Sequence, residues 1–472
     1  MLDFSGVRKT NPVYNILYDY VGVILRTIFF RRFQVTGRHN VPPKDEGFLV
    51  ICNHQNGLVD ALSVIFSIAP HKPVFIARAD IFKKDWIGRL LRMLRIMPAF
   101  RARDTGRENL DKNDIIFKQS VKIMQEGGVV ALFPEAGHQD HHCMGTFKKG
   151  FARIAFGYEE ACNYEKNLKI LPLGHDYSGY FGMQNDVLIS VAEPFTFEEL
   201  YDTYKQSPER GRYLLAAKAR ERVDNLILDI EDYEDIEAIE QLCDMYIPGY
   251  LKKHHLKENR LKNHLAAKRE LNAALKSVDY GRERPLREGE TAPELTPEQK
   301  RKKSLAADLI AKATKYVENL KALKLDDRIV ERSSALGFAS RTLLWILLLP
   351  VFIVATLINF IPYNLGAWLT RKTKDRMLVP SFELGIGIFS FLIWYLILFA
   401  IIWIVFKKFW IALVALLLMP VSLLLYHFVK GLTGRLANRI RKYRYKLGRN
   451  QQFEQTRTLR RDIMSGLGNL MA

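Results

Sequence analysis

Cysteine is scarce in this chain, with 4 residues among 472, at Cys52, Cys143, Cys162 and Cys243. None is spaced like a metal-binding pair, so a zinc-ribbon or disulfide-stapled scaffold is excluded and reduced thiols in a cytosol-facing protein are expected. A secretory leader is not expected either: the apolar stretch near the start holds Asp19 and Arg26 and has no small-residue cleavage site. Acidic residues run short. Lys plus Arg number 70 against 51 Asp plus Glu, a formal net charge of +19. That excess points to anionic partners: a membrane surface, nucleic acid or phosphorylated substrates. No nucleic-acid fingerprint is present. The basic residues gather beside apolar stretches, which favours lipid.

The length implies two or three units. Residues 1–33 read as an interfacial amphipathic helix, rich in Tyr, Leu, Ile and Phe and ending in Arg31-Arg32, or as a helix docked on the domain core. Residues 34–204 alternate strand-like runs (48–52, 73–77, 129–133, 169–173, 187–192) with helix-like segments, clearest at 107–126 and 146–157. The pattern predicts an α/β domain with a mostly parallel sheet flanked by helices. Residues 205–340 are a charged helical region of solvated helices, with a polar linker at 281–299. Membrane segments follow at 341–429, with apolar blocks at 342–361, 382–406 and 409–428. Lys407-Lys408 divides the last two, which read as a transmembrane hairpin. The basic loop 371–376 and the basic tail at 430–472 both belong on the cytoplasmic side. That placement is met if 342–361 re-enters or lies shallow, and it makes the chain an integral membrane protein with its catalytic domain facing the cytoplasm.

The run Phe48-Leu49-Val50-Ile51-Cys52 releases Asn53-His54 into a loop, with Asp60 close behind. Strand ends are where α/β enzymes place chemistry. An imidazole steered by a carboxylate is a general-base pair for deprotonating a hydroxyl. No serine or cysteine stands where a protein nucleophile would sit, so the hydroxyl belongs to a substrate. On one regular helix, residues six apart differ by about 600°. His54 must then sit in the loop with Gly57 supplying a turn, and Asp60 in the first helical turn, reaching back.

Three further clusters follow at strand ends. They are Met97-Pro98-Ala99-Phe100-Arg101-Ala102-Arg103-Asp104, Phe133-Pro134-Glu135-Ala136-Gly137-His138-Gln139-Asp140, and Ile170-Leu171-Pro172-Leu173-Gly174. In this order, over roughly residues 15–200, the chain resembles the phospholipid/glycerol acyltransferase family. Asn53-His54 and Asp60 match its histidine–aspartate motif. Arg101 or Arg103 matches the arginine of its second block, Phe133-Pro134-Glu135 the start of its FPEG block, and Leu171-Pro172-Leu173 its final block. Two departures stand out. Five residues separate His54 from Asp60 where the usual motif has four. FPEG is FPEA here, with His138 in place of the arginine that often follows. Both resemble the fungal-type glycerol-3-phosphate and dihydroxyacetone-phosphate acyltransferases, in which the domain is likewise joined to C-terminal membrane segments.

The resemblance implies direct transfer of a fatty acyl group, without an acyl-enzyme. The donor would be acyl-CoA or acyl-carrier protein and the acceptor glycerol-3-phosphate or 1-acylglycerol-3-phosphate; no cofactor is involved. His54 and Asp60 would be catalytic; Arg101, Arg103, Glu135, Asn53, Gly137 and His138 would bind substrate. A guanidinium fork suits the acceptor phosphate. Glu135 would hold an acceptor hydroxyl or fix the arginines, or cap a neighbouring helix; Asn53 would orient His54 or cap the next helix. Lys148 and Lys149 open the helix that follows. The tract His138, Asp140, His141 and His142 reads as a polar loop rather than a metal site, for want of a second ligand set. His175-Asp176 reads as hydrogen bonding within the pocket wall. A lipid-binding scaffold on an inactive acyltransferase fold and an acyl-thioester hydrolase are the alternatives.

Overall fold

The computed structural model describes residues 4, 6–9, 12–101, 111–135, 137, 141–231, 234–278, 296–330, 335–373 and 379–471. The chain forms two compact units: Met1–Asp229 with Thr373–Leu384, and Ile230–Lys372 with Gly385–Ala472.

The first unit is built on a seven-stranded sheet. Its strands are β1 (Phe30–Thr36), β2 (Phe48–Cys52), β3 (Val74–Arg78), β4 (Ile96–Ala99), β5 (Val129–Leu132), β6 (Lys169–Tyr177) and β7 (Asn185–Val191), in the order β1-β7-β6-β2-β5-β3-β4. Every pairing is parallel except β6 with β7. All five residues of β2 are buried, as a central strand covered on both faces requires. Alternation sends Leu49 and Ile51 into a core shared with Ile116, Ile123, Phe151 and Leu215. The helices supplying that core are α4 (Lys112–Gln125), α5 (Gly150–Ala161) and α6 (Pro208–Asp224). Before them in the chain come α1 (Pro12–Ile24), α2 (Gly57–Ser67) and α3 (Asp85–Met93). The rings of Tyr18 and Phe66 join α1 to α2 at 5.1 Å.

The expected fold class is observed, with four local corrections. Residues 13–33 are not one helix. The helix ends at Ile24, and after one π-turn the chain enters β1 at Phe30, because Arg31 and Arg32 are both anchored on Asp186 of β7 at 2.5 Å. The compact unit runs to Asp229 rather than to 204, because α6 buries Leu215, Ala219 and Val223 completely. Lys149 is the N-cap of α5, one turn later than a helix from 146 would place it. The 205–340 segment is not merely solvated, since its later helices enclose a core of their own.

That core belongs to the second unit. Helices α7 (Ile236–Lys253) and α8 (Leu261–Ser277) pack together, and α7 also meets α9 (Pro297–Leu323). Leu242, Ala267 and Leu271 are fully buried there. Thr296 and Gln299 close a reciprocal capping box at the start of α9, with Pro297 in the first turn. Residues 281–295 of the expected linker lie outside the described residues. The helices α10 (Ala335–Thr370), α11 (Val379–Phe406) and α12 (Phe409–Leu447) are each long and apolar enough to cross a membrane. The segment expected to re-enter or lie shallow at 342–361 is part of α10, an unbroken helix of 36 residues. Lys407, with φ of 52°, makes the break between α11 and α12. Helix α13 (Gln451–Leu470) packs back on α9.

Gly37, at the end of β1, has φ of 72°, and a Cβ there would lie 2.0 Å from the Val191 carbonyl oxygen. Gly37→Ala is therefore expected to destabilise the α/β unit by about 1–3 kcal/mol. Thermal unfolding of the full chain in detergent reads this as an earlier transition; an unchanged transition would contradict the close approach of β1 to β7.

Candidate active site

The parallel strands β6, β2, β5, β3 and β4 end at one edge of the sheet, and the functional side chains collect along it. Register pairs Cys52 with Leu173. One step on, Asn53 continues the tie to β6: its Oδ1 accepts the His175 amide at 2.8 Å and its Nδ2 donates to the His175 carbonyl at 3.1 Å. Asn53 is thus fully buried, with both ends of its amide on the β6 main chain. It neither caps α2 nor touches the His54 ring.

His54 lies in the loop before α2, and Asp60 lies in the first turn of α2. His54 Nδ1 is 2.8 Å from Asp60 Oδ2, so the loop-to-helix geometry demanded by the spacing is present. The same Oδ2 accepts the amides of Gln55 and Asn56, each at 2.7 Å. Asp60 Oδ1 accepts the Tyr177 hydroxyl at 2.6 Å. Burial alone would raise the Asp60 carboxyl. The hydrogen bond from His54, nearby imidazole charge and the backbone donor outweigh it and hold the group at about 2, below its ordinary 3.8. A carboxylate so ionised only accepts hydrogen bonds, so Nδ1 of His54 bears the proton and Nε2 is the basic nitrogen. Phe133 stacks on the imidazole at 4.1 Å and 13°. The ring is thereby held in plane by one neighbour and in azimuth by another.

Gly57 has φ of 43°, and a Cβ on it would meet Ser381 Oγ at 2.2 Å. That hydroxyl accepts the Leu58 amide at 2.8 Å, since the Asn56 side chain makes no capping bond. Asn56 Nδ2 instead donates to the Tyr180 carbonyl at 3.0 Å, and Gln55 Nε2 to the His141 carbonyl at 3.1 Å.

Glu135 follows β5 and is buried. Its Oε1 accepts the His54 amide and its Oε2 the Gly145 amide, both at 2.7 Å. Burial pushes this carboxyl up to about 7, against the two amides that favour its charged form. Among the described residues, Glu135 clamps the catalytic loop to the 141–149 segment rather than capping a helix. Gly137 is exposed, with open space where a Cβ would go. Arg101 is half-buried just past β4 on the same edge. Its approach is fixed by Asn113, which receives the Phe100 amide at 2.9 Å and donates to the Phe100 carbonyl at 2.8 Å. Arg103 and His138 lie outside the described residues, as does Asp140.

The expectation for His175-Asp176 divides. His142 Nε2 sits 3.2 Å from Asp176 Oδ1 and 3.1 Å from the Tyr177 carbonyl. His175 is fully buried and neither ring nitrogen has a hydrogen-bond partner among the described residues; burial lowers its pKa. Sequence reasoning missed the Tyr177 bond to Asp60, the Gly145 amide and Asn113. Only the β2–β6 register could have signalled the first, and that pairing is long-range.

The sign of the Asp60 shift fixes a pH dependence. Its contribution to stability is complete above the unfolded pKa near 4 and is lost as pH falls through the folded value of about 2. A shift of this size corresponds to about 2–3 kcal/mol. Tyr177→Phe removes one of the donors, so acid unfolding of the α/β unit should move to higher pH. An acid midpoint equal to that of the unsubstituted chain would contradict the assignment.

Two curated relatives are similar to part of this chain. A 1-acyl-sn-glycerol-3-phosphate acyltransferase of Bacillus subtilis (strain 168) is 29% identical over 141 residues, which is 29% of this chain and 65% of the relative. A chloroplastic 1-acyl-sn-glycerol-3-phosphate acyltransferase of Arabidopsis thaliana is 27% identical over 126 residues, 27% of this chain and 33% of the relative. The chain thus spans less than two thirds of the length of either. Residues 32–175, from β1 through His54, Asp60 and Glu135 to His175, match the family model described as Acyltransferase.

Proposed function

We propose that this protein moves a fatty acyl group from a thioester donor to a hydroxyl of a phosphorylated glycerol, at a membrane. The observation behind the reading is the His54–Asp60 pair at 2.8 Å, in which an ionised Asp60 can only accept. In the proposed step, His54 Nε2 takes the proton of the acceptor hydroxyl as its oxygen attacks the thioester carbonyl. The tetrahedral adduct then collapses, the C–S bond breaks, and the imidazolium returns the proton to the departing sulfur. Asp60 stabilises the imidazolium throughout. The chemistry needs no cofactor, since the acyl-CoA or acyl-carrier protein is a substrate. Arg101, with Arg103 and His138, is assigned to the acceptor phosphate. Asn53 acts on the β6 main chain and Glu135 on the loop main chain, and Gly137 adds no side chain to this edge.

The acceptor is glycerol-3-phosphate or 1-acylglycerol-3-phosphate. The FPEA block and the five-residue spacing support the first, through the fungal-type subgroup. The names of the two relatives support the second. The helices α10 to α12 support integral membrane attachment, and their basic flanks support a catalytic unit on the cytoplasmic side.

Acyl transfer by the full chain in nanodiscs, with glycerol-3-phosphate, dihydroxyacetone phosphate and lysophosphatidate as acceptors, tests the reading. His54→Ala should lower turnover by ~10²–10⁴-fold or more while the chain stays folded. Near-normal turnover in that variant, or acceptor-independent release of free fatty acid, would overturn it. Glu135→Gln can accept only one of the two amides it now holds, so kcat should fall by roughly 10²-fold through misplacement of the His54 loop. An unchanged kcat would show that the clamp is dispensable.

A further inference from the structure

Several exposed apolar side chains of the first unit follow strands that end on the edge carrying His54, while Val13, Ile16 and Val23 on α1 and Ile115 on α4 lie elsewhere. Leu58 follows β2, Ile81, Trp86 and Leu90 follow β3, and Phe181 follows β6. Ile81 lies in the turn that directly follows the carboxyl end of β3, so topology places the start of α3 at that edge.

The densest group of these side chains is on α3 and the turn before it. Trp86 and Leu90 stand four residues apart and share a face. Trp86 is 59% exposed, Ile81 41% and Leu90 38%. Gly88 faces inward and is buried. Lys83, Lys84 and Arg89 are exposed around the apolar face. The acids nearby are few: Asp85 opens α3, and Asp80 is bound by the Arg78 guanidinium at 2.7 Å. An indole and two aliphatic side chains ringed by cations match a bilayer surface, where rings sit at headgroup depth and basic groups meet lipid phosphate. The same chain carries three helices long enough to cross a membrane, so a bilayer is always within its reach.

We propose that the face formed by Ile81, Trp86 and Leu90, with Lys83, Lys84 and Arg89, seats on the anionic leaflet of the membrane. This docking turns the rim carrying His54 toward lipid. A bilayer-dissolved reactant then reaches the site without crossing water. The docking rests on membrane attachment and not on acyl transfer.

The test uses the full chain in nanodiscs, with Cys162→Ser to remove the half-exposed native thiol. A nitroxide is placed through Trp86→Cys or Leu90→Cys, and through Tyr213→Cys on α6 as a control that is 61% exposed. Spin relaxation by oxygen and by a water-soluble nickel chelate reports depth. In nanodiscs containing phosphatidylglycerol, positions 86 and 90 should show several-fold higher oxygen than nickel accessibility, and position 213 the reverse. Joint replacement of Lys83, Lys84 and Arg89 by Glu should abolish the lipid signature, as should phosphatidylcholine as the only lipid. Nickel accessibility at 86 and 90 equal to that at 213 would overturn the proposal. So would protection from both reagents, the mark of a protein partner or a second copy, or a lipid signature indifferent to charge. Because depth rather than turnover is read, failure here is distinct from failure of the catalytic reading.

Discussion

A charged carboxylate buried away from water costs several kcal/mol unless donors surround it. Asp60 is fully buried and ionised, and four donors compensate it: His54 Nδ1, the amides of Gln55 and Asn56, and the Tyr177 hydroxyl. That demand shapes the whole neighbourhood. Three consecutive residues must curl around one oxygen, which requires the left-handed turn at Gly57 and a helix that starts at once. The fourth donor must come from β6, which requires β2 and β6 to be neighbours in the observed register. The His54–Asp60 pair is therefore the joint at which β2, α2 and β6 are held together.

The same arrangement orders the chemistry. Asp60 fixes which nitrogen of His54 is basic, Phe133 fixes the plane of the ring, and Glu135 fixes the main chain that carries it. None of these contacts has to form during a reaction, so the base is organised before substrate arrives. The parallel strands then bring Arg101 to the same edge.

Much of this was legible in the sequence. Short apolar runs ending in polar clusters marked β2, β5 and β6, and the six-residue step from His54 to Asp60 demanded a loop and a first-turn carboxylate. What was hidden depends on distant partners. Residues 30–33 read as the charged end of a helix because nothing local announces that Asp186 will bind Arg31 and Arg32. β4 contains Pro98 and is tolerated because it lies at the sheet edge. Asn53 and Glu135 were marked as substrate contacts by their place beside the motif. Their buried ends are occupied by backbone groups of β6 and of the loops at His54 and Gly145. The continuity of α10 through Pro350 and Pro362 was likewise hidden, since a proline in an apolar run reads as an interruption.

The central claim is that Asp60 holds His54 with its proton on Nδ1. Solid-state ¹⁵N spectroscopy of histidine-labelled full chain in nanodiscs, with His54→Ala to assign the signal, tests it directly. The account predicts that the neutral imidazole carries its proton on Nδ1 and leaves Nε2 bare, a preference lost in Asp60→Asn. A His54 signal with the proton on Nε2 and a bare Nδ1 would contradict it.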